Sequence, residues 1–280
     1  MKKRYSLAIL ALVVFVLAAF GYFAKLLIET HGESNLTLQQ VYKKAMKRQH
    51  TLKNVHADVD MEQQTEMTVD GVTVHFSTSS DLVMEIQQKP MAMYTKGTVA
   101  MEMEGESMEM PMEMYMSKSD GFYLLTGEEN QWSKIPKNDY DQVLAQTGAK
   151  PDATAQLKKL KRFTNDFEFK QDDTSYFLTL NLEGDKFKEF IVDQLGSVIE
   201  GTVEMTSETV EAMSFEDSKY ELVINKDTFD TNEIHMDITI LMDIEGQLAQ
   251  IKNDASIKYS KFDELDEITV PKEVKDNAVY

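Results

Sequence analysis

Residues 55–86 have the sequence VHADVDMEQQTEMTVDGVTVHFSTSSDLVMEI, and this stretch decides the fold. Before residue 70 the apolar side chains stand mostly at odd positions and alternate with Asp, Glu, Gln and Thr, and after residue 71 they stand mostly at even positions. A period of two is typical of a strand with one buried face. Asp70-Gly71 separates the two patterns and is a strong signal for a two-residue turn, since both residues tolerate positive φ. The sequence therefore predicts a long β-hairpin.

The turn and the pattern agree on one register for this hairpin. A two-residue turn places the apolar side chains of both strands on the same face. The predicted pairs are Val69–Val72, Met67–Val74, Val59–Leu82 and Ala57–Met84. The middle of this face is polar, with Gln63 and Thr65 opposite Thr78 and Phe76. We expect the sheet to bend there or to meet solvent.

The stretch that follows the hairpin is rich in methionine. Nine of the 26 residues in 91–116 are Met, and many alternate with Glu. Gly105-Glu106-Ser107 predicts a turn between two strands, which would pair Met103 with Met108, Met101 with Met110 and Val99 with Met112. One face of the sheet would then be lined with thioethers. Pro111 cannot donate a backbone hydrogen bond, so we expect it at a sheet edge or bulge.

The remaining elements indicate one α+β domain. Thr37-x-x-Gln40 has the form of a capping box, and apolar residues at helical spacing predict a helix over 38–52. Further strands are predicted near 122–126, 131–135, 165–170, 175–182, 217–225, 233–244, 247–260 and 268–271. Three short helices are predicted around 140–144, 157–160 and 185–196, and residues 198–214 have no clear pattern. A large antiparallel sheet with helices on one side is the α+β arrangement.

The N-terminus predicts a membrane anchor or a signal peptide. Three basic residues, at 2–4, precede an uncharged run over 5–24 that Lys25 ends. A membrane-spanning helix needs about 20 apolar residues, and the basic end stays in the cytoplasm by the positive-inside rule. We expect a cytoplasmic end at 1–4, an anchor at 5–24, a polar stalk at 25–36 and a folded domain at 37–280. The domain is extracytoplasmic on the cell membrane, or secreted if the segment is a cleaved signal peptide.

The composition excludes several classes of function. Asp and Glu number 48 against 29 Lys and Arg, and the net charge of -19 argues against nucleic acid, because phosphate binding needs a cationic surface. The absence of Cys excludes disulfides, thiolate metal sites, a catalytic Cys and a lipidated N-terminal Cys. The five His have no zinc-binding spacing, and no P-loop, dinucleotide-binding or nucleophile-elbow motif is present. Glycosidase-type carboxylate pairs are spatial, so the sequence does not address them. We expect no catalysis, no cofactor and no metal ion.

The methionines admit more than one role. Met is flexible and polarizable, so a Met-rich strand face adapts to varied apolar ligands. The same residues can instead fill a core beneath helices, and burial contributes about 1.5–3 kcal/mol per Met in either case. A third hypothesis is Cu(I), which thioethers select. Against copper, neighbouring sulfurs on one strand face stand about 6–7 Å apart, and no His or Cys lies nearby in the sequence.

Several segments, taken in order, resemble a known family. They are KPMAMY at 89–94, the Met/Glu alternation up to residue 117, DGFY at 120–123, WSKIP at 132–136, VINKDT at 223–228 and ITVPKEV at 268–274. Over 36–278 the chain resembles an uncharacterised family of Gram-positive cell-envelope proteins, many of them lipoproteins, similar in architecture to LolA and LppX. The resemblance implies a curved antiparallel half-barrel with helices packed on its concave face. In LolA-like proteins the space between sheet and helices takes lipid or acyl chains, and in related regulators the fold senses or binds partners.

Together these observations predict a membrane-tethered half-barrel that binds an apolar ligand, either a lipid, an acyl chain or a lipopeptide. This chain lacks the family's lipidated Cys, so its anchor would replace the lipid and hold the ligand in place. The predicted ligand-binding residues are Met101, Met103, Met110, Met112, Met114, Val74, Phe76 and Met84. The alternative is an envelope sensor or protein-interaction module, in which the acidic convex face meets a cationic partner protein and the Met face is only core.

Overall fold

The computed structural model describes residues 35–69, 72–103, 105–126, 131–135, 166–182, 213–244 and 247–279. Two helices lie in these ranges, α1 (Leu38–Gln49) and α2 (Lys272–Asn277). The strands are β1 (Asn54–Val69), β2 (Val72–Gln88), β3 (Met91–Met103), β4 (Glu106–Ser117), β5 (Gly121–Thr126), β6 (Trp132–Ile135), β7 (Phe167–Gln171), β8 (Ser175–Leu182), β9 (Met213–Asn225), β10 (Thr231–Ile244) and β11 (Gln247–Ser260). The helices predicted around 140–144, 157–160 and 185–196 lie outside the described residues.

All eleven strands belong to one open, curved antiparallel sheet. Its strand order is β6-β5-β4-β3-β2-β1-β11-β10-β9-β8-β7. The first six strands form a meander on one side of the sheet, which we call the N-terminal arm. The last five form a second meander, the C-terminal arm, and β11 pairs with β1 to join the two. The prediction of one large antiparallel sheet is confirmed.

The long hairpin of β1 and β2 has the predicted register. Val69 pairs with Val72, and the pairing continues without a shift to Asn54 and Gln87. Odd-numbered residues of β1 are buried from Val55 to Thr65 without interruption, while the even-numbered ones from Asp58 to Glu66 are exposed. The period-two pattern therefore fixed which face of the sheet is covered.

The main core lies between α1 and one face of the sheet, which we call the inner face. Val41, Ala45 and Met46 of α1 pack in one cluster with side chains of both arms. The C-terminal arm supplies most of this cluster, and its members there include Phe167, Tyr176, Leu178, Leu180, Phe215, Tyr220, Leu222, Ile224, Ile234, Met236, Ile238, Ala255 and Ile257. Each fully buried aliphatic side chain contributes about 1.5–3 kcal/mol, so most of the apolar stabilisation centres on this arm.

Hydrogen bonds fix both ends of α1, through side chains at its start and through the backbone just after its end. The predicted capping box is confirmed: the Thr37 N–H donates to Gln40 Oε1 at 2.8 Å, and the Gln40 N–H donates to Thr37 Oγ1 at 3.3 Å. The helix ends at Gln49 rather than at residue 52. The reason is that Lys53 O accepts a 2.8 Å hydrogen bond from the Gln88 N–H, which draws this part of the chain onto the end of β2.

The C-terminal segment corrects one prediction. Residues 268–271 do not form a strand, and a side chain rather than a neighbouring strand binds the backbone at Ile268. The Ile268 N–H donates to Gln87 Oε1 at 3.0 Å. Val270 and Val274 then pack with Tyr123 on the face of β5 opposite the inner face. We call this opposite face the outer face, and α2 covers part of it.

Candidate functional site

The predicted ligand-binding residues all project from one face of three adjacent strands. Strand register places them on the inner face of β2, β3 and β4. Val74, Phe76 and Met84 come from β2, Met101 and Met103 from β3, and Met110, Met112 and Met114 from β4. The shared face follows from the alternation in each strand, since residues two apart point to the same side.

The register between β3 and β4 differs from the prediction. Met103 pairs with Glu106, Met101 with Met108, Val99 with Met110 and Gly97 with Met112, so the predicted Met103–Met108 pairing is wrong by two residues. The turn is shorter than predicted because Gly105 takes a φ of 83°, which an L side chain adopts at a cost. An offset of two keeps every side chain on its predicted face. Pro111 lies just before the residues of β4 that pair with β5, as expected for a sheet edge.

The predicted set divides by burial. Met84 and Met112 pack against the main core, and Met114 packs in a smaller cluster around Met116 and Phe122. The remaining members are half-buried, except Met103, which is 58% exposed. Within the described part of the chain, none of these five belongs to a buried apolar cluster.

Two further residues extend this surface and were missed. Val72 and Met108 lie on the inner face and are 64% and 61% exposed. The alternation already placed both residues on this face, but it did not predict how exposed they are, and the observed register brings Met108 opposite Met101. We call the combined surface the methionine face, and it consists of Val72, Val74, Phe76, Met101, Met103, Met108 and Met110.

Gly97 has a specific packing role beside the methionine face. It pairs with Leu82 on β2 and with Met112 on β4. A Cβ at Gly97 would stand 2.0 Å from Asp81 O and 2.8 Å from Leu82 Cα. Both contacts are with backbone atoms, so a side chain could be accommodated only by moving the strand. Glycine therefore permits the close approach of β2 and β3.

The polar centre of the inner face is buried, which corrects another expectation. Gln63 and Thr78 are each 2% exposed, and Thr65 is also buried. The prediction that the sheet meets solvent at this point is therefore wrong. The pairing of β1 with β2 continues through it without a register shift.

Two hollows are lined mostly by side chains of the outer face. One has a volume of about 490 Å³ beside the tip of the β1–β2 hairpin, and Val74 and Phe76 contribute to its lining. The other has a volume of about 690 Å³. Its charged lining residues are Asp60, Glu62, Asp81, Lys96 and Glu109. The larger hollow is therefore predominantly acidic.

Two His on the described strands lie beside carboxylates. His75 lies 3.4 Å from Glu66, and His235 lies 2.9 Å from Glu233. Exposed pairs of this kind contribute about 0–1 kcal/mol to stability. Within the described ranges no three His, Cys, Asp or Glu side chains come together in a way that could hold a metal ion.

The outer face also carries an aromatic cluster with a perturbed phenol. The Tyr94 hydroxyl donates to Glu113 Oε1 at 3.0 Å, and its ring lies 4.6 Å from that of Tyr115 between centroids. Burial and the neighbouring carboxylate raise the pKa of Tyr94 above its ordinary value. Tyr94 therefore stays protonated and acts as a hydrogen-bond donor.

Comparisons with known proteins give a family and distantly similar structures. No helix in the described part of the chain is long and apolar enough to cross a bilayer, and the predicted anchor at 5–24 lies outside that part. No curated protein matches the chain. The crystal structure of a DUF1329 family protein from Desulfovibrio piger aligns at 10% identity and a TM-score of 0.18, covering 80% of this chain and 87% of that one. A model of DUF6612, a family of unknown function, matches residues 37–279, and the chain belongs to this family.

Proposed function

We propose that this protein is a non-catalytic binding protein for an apolar ligand, held outside the cytoplasm by an N-terminal membrane anchor. The ligand is a lipid, an acyl chain or a lipopeptide. The observation that carries this proposal is the methionine face, a set of exposed and half-buried apolar side chains on the same sheet face as the main core.

The composition of this face suits a ligand of variable shape. Met has three rotatable bonds and a polarizable sulfur, so neighbouring Met side chains can adapt to different apolar surfaces. Contiguous exposed apolar patches on soluble domains mark interaction sites more often than scattered apolar residues do. Burying Met103 and Met108 under an acyl chain would remove their exposed area from water, at roughly 25 cal/mol per Å².

The anchor and the compartment belong to the same proposal. The uncharged run over 5–24 and the basic residues before it support a single-pass protein with its domain outside, and cleavage of a signal peptide would give a secreted form instead. The resemblance to cell-envelope proteins supports the same side of the membrane. A tethered protein presents or senses its ligand near the membrane and does not carry it far.

Native mass spectrometry of the full chain, released from detergent micelles, tests the proposal. We expect a stoichiometric co-purifying lipid that solvent extraction identifies. The double variant Met103→Gln, Met108→Gln should lose it. Leu248 is 59% exposed but lies on the outer face, so Leu248→Gln is the matched control and should retain the lipid. A bare protein mass that takes up no added lipid would contradict the proposal.

A second candidate function follows from the acidic outer hollow near Lys96. Its four carboxylates could meet a cationic partner protein in the envelope, with the methionine face serving only as core. Because exposed charge pairs are screened by salt, such a partner would be captured at low ionic strength and released at high ionic strength. Capture that resists salt would argue against this candidate.

A further inference from the structure

A cluster of buried polar side chains crosses the centre of the inner face. Gln63 on β1 pairs with Thr78 on β2 and with Asn253 on β11, and Ser80 lies two residues from Thr78 on the same face. We call these four residues the polar cluster. All are at least nine-tenths buried, with exposures of 2% for Gln63 and Thr78 and 5% for Ser80 and Asn253.

Each member of the polar cluster has an unsatisfied side-chain atom. Gln63 Oε1, Thr78 Oγ1, Ser80 Oγ and Asn253 Oδ1 have no hydrogen-bond partner among the described residues. The amide nitrogen of Gln63 donates weakly to Thr65 Oγ1 at 3.4 Å. An unsatisfied buried polar atom costs about 1–3 kcal/mol, so four of them in one place indicate a group that completes their hydrogen bonds.

The chemistry of these atoms limits what that group is. The two amide oxygens accept hydrogen bonds, and the two hydroxyls can donate or accept. The flanking inner-face positions on β3 and β10 are Met101 and Ile238, so no charged side chain flanks the cluster across the sheet. Burying an ionised group without a countercharge is costly. The fitting group is therefore neutral and supplies hydroxyl donors.

The polar cluster is continuous with the methionine face. Thr78 pairs with Met101, and Met101 pairs with Met108. Neighbouring strands lie about 4.8 Å apart, so a head group at Gln63 stands roughly three strand spacings, about 14 Å, from Met108. An extended acyl chain can span that distance while its head stays on the polar cluster.

We propose that the polar cluster binds the neutral, hydroxyl-bearing head of the ligand whose chain lies on the methionine face. This inference rests on the proposed function, which it deepens by naming the class of ligand. Glycerol esters and sugar-bearing lipids share this head-group chemistry. Free fatty acids and phospholipids do not, because their heads are charged.

A competition experiment tests this inference on the full chain in detergent micelles. An equimolar mixture of monooleoylglycerol, monooleoyl glucoside, methyl oleate and oleate is added, and native mass spectrometry measures the ratio of bound species. We expect the two hydroxyl-bearing probes to be preferred over methyl oleate by about tenfold, as one or two hydrogen bonds provide. Their relative binding shows whether glycerol or sugar is the better head group.

Apolar substitutions then test whether the polar cluster causes the preference. Gln63→Leu and Thr78→Val should abolish it without loss of total binding, and Gln64→Leu, on the exposed side of β1, is the matched control. Replacing an unsatisfied buried polar group by an apolar one is neutral or stabilising, so the melting temperature of the delipidated protein should hold or rise. A fall of several degrees would overturn the inference, because it would mean that the cluster is satisfied within the protein.

The remaining outcomes separate the two proposals. Equal binding of all four probes would overturn this inference and leave the proposed function standing, with water as the partner of the polar cluster. A preference for oleate would also overturn it. No uptake of any probe would overturn both.

Discussion

The inner faces of the two arms belong to one sheet but are built differently. On the C-terminal arm this face carries Ile, Leu and aromatic residues, and Leu178 and Ile224 are fully buried. On the N-terminal arm the same face carries Met, and Met103 and Met108 are more than half exposed. β-branched and aromatic side chains specify a rigid core, whereas Met specifies packing poorly. The difference indicates that one arm is the structural half and the other the adaptable half of the domain.

Among the substitutions considered, we expect Gly97→Val to destabilise the protein most, because Gly97 lies where β2 and β3 of the N-terminal arm approach closely. Gly97→Val should cost more than about 4 kcal/mol, in the range reserved for severe defects, because its side chain would collide with the backbone at Asp81 and Leu82. Gly105→Ala is the control, since its Cβ would meet nothing within 4 Å. The Gly105→Ala variant should lose about 1–2 kcal/mol of its free energy of unfolding, because of the positive φ alone. Chemical denaturation measures both, and equal losses would show that Gly97 has no packing role.

A matched pair of truncations compares the two inner faces directly. Ile224→Ala should lower the free energy of unfolding by about 2–5 kcal/mol, the usual cost of a cavity in a rigid core. Met110→Ala should cost less than about 1 kcal/mol, because this side chain is only half-buried and its neighbours can adjust. Urea titrations of both variants give the comparison. Similar losses at the two sites would mean that the methionine face is ordinary core.

The contacts of Arg48 test how α1 is held over the sheet. Arg48 forms ion pairs with Asp230, in the β9–β10 connection, and with Asp263, after β11. Arg48 and Asp230 are largely buried, so Arg48→Met should cost about 2–3 kcal/mol, somewhat less than breaking a wholly buried pair. Lys43→Met, at an exposed position on the same helix, should cost little. Hydrogen exchange should accelerate in α1 and the C-terminal arm, and unchanged exchange there would contradict this assignment.

Acid should weaken the same region by a smaller amount. Burial alone would raise the pKa of Asp263, but the Lys53 N–H and Arg48 outweigh it and lower this pKa below its ordinary value. A group with a lowered folded-state pKa stabilises the protein fully above its unfolded pKa, near 4, and loses this contribution as the pH falls further. The melting temperature should therefore fall below about pH 4. Asp263→Asn should show a shallower fall, and an identical pH profile would exclude a role for this carboxylate.

How much the sequence predicted depends on how local the determining signal is. The register of the β1–β2 hairpin follows from Asp70-Gly71 and the flanking alternation, so it was predictable pair by pair. The β3–β4 register was not, because the Gly105-Glu106-Ser107 segment permits more than one turn length and both registers keep the same faces. The terminal prediction at 268–271 failed because Gln87, far away in sequence, binds this backbone.

The candidate site shows the same limit. Alternation placed all eight predicted residues on the inner face, but their burial depends on strands and helices that the local pattern does not describe. Met112 was predictable as inward-facing, and its packing against the main core was not. The burial of Gln63 and Thr78 could not be predicted either, since polar side chains on a strand ordinarily indicate exposure.

Crosslinking of an acyl probe locates the bound chain on the sheet. A diazirine-bearing fatty acid ester of glycerol is added to the full chain in detergent micelles, irradiated, and its attachment sites are mapped by peptide mass spectrometry. We expect saturable crosslinks on peptides that contain the methionine face, with competition by unlabelled monooleoylglycerol. Crosslinks that fall mainly on the C-terminal arm or the outer face, or that do not saturate, would contradict it.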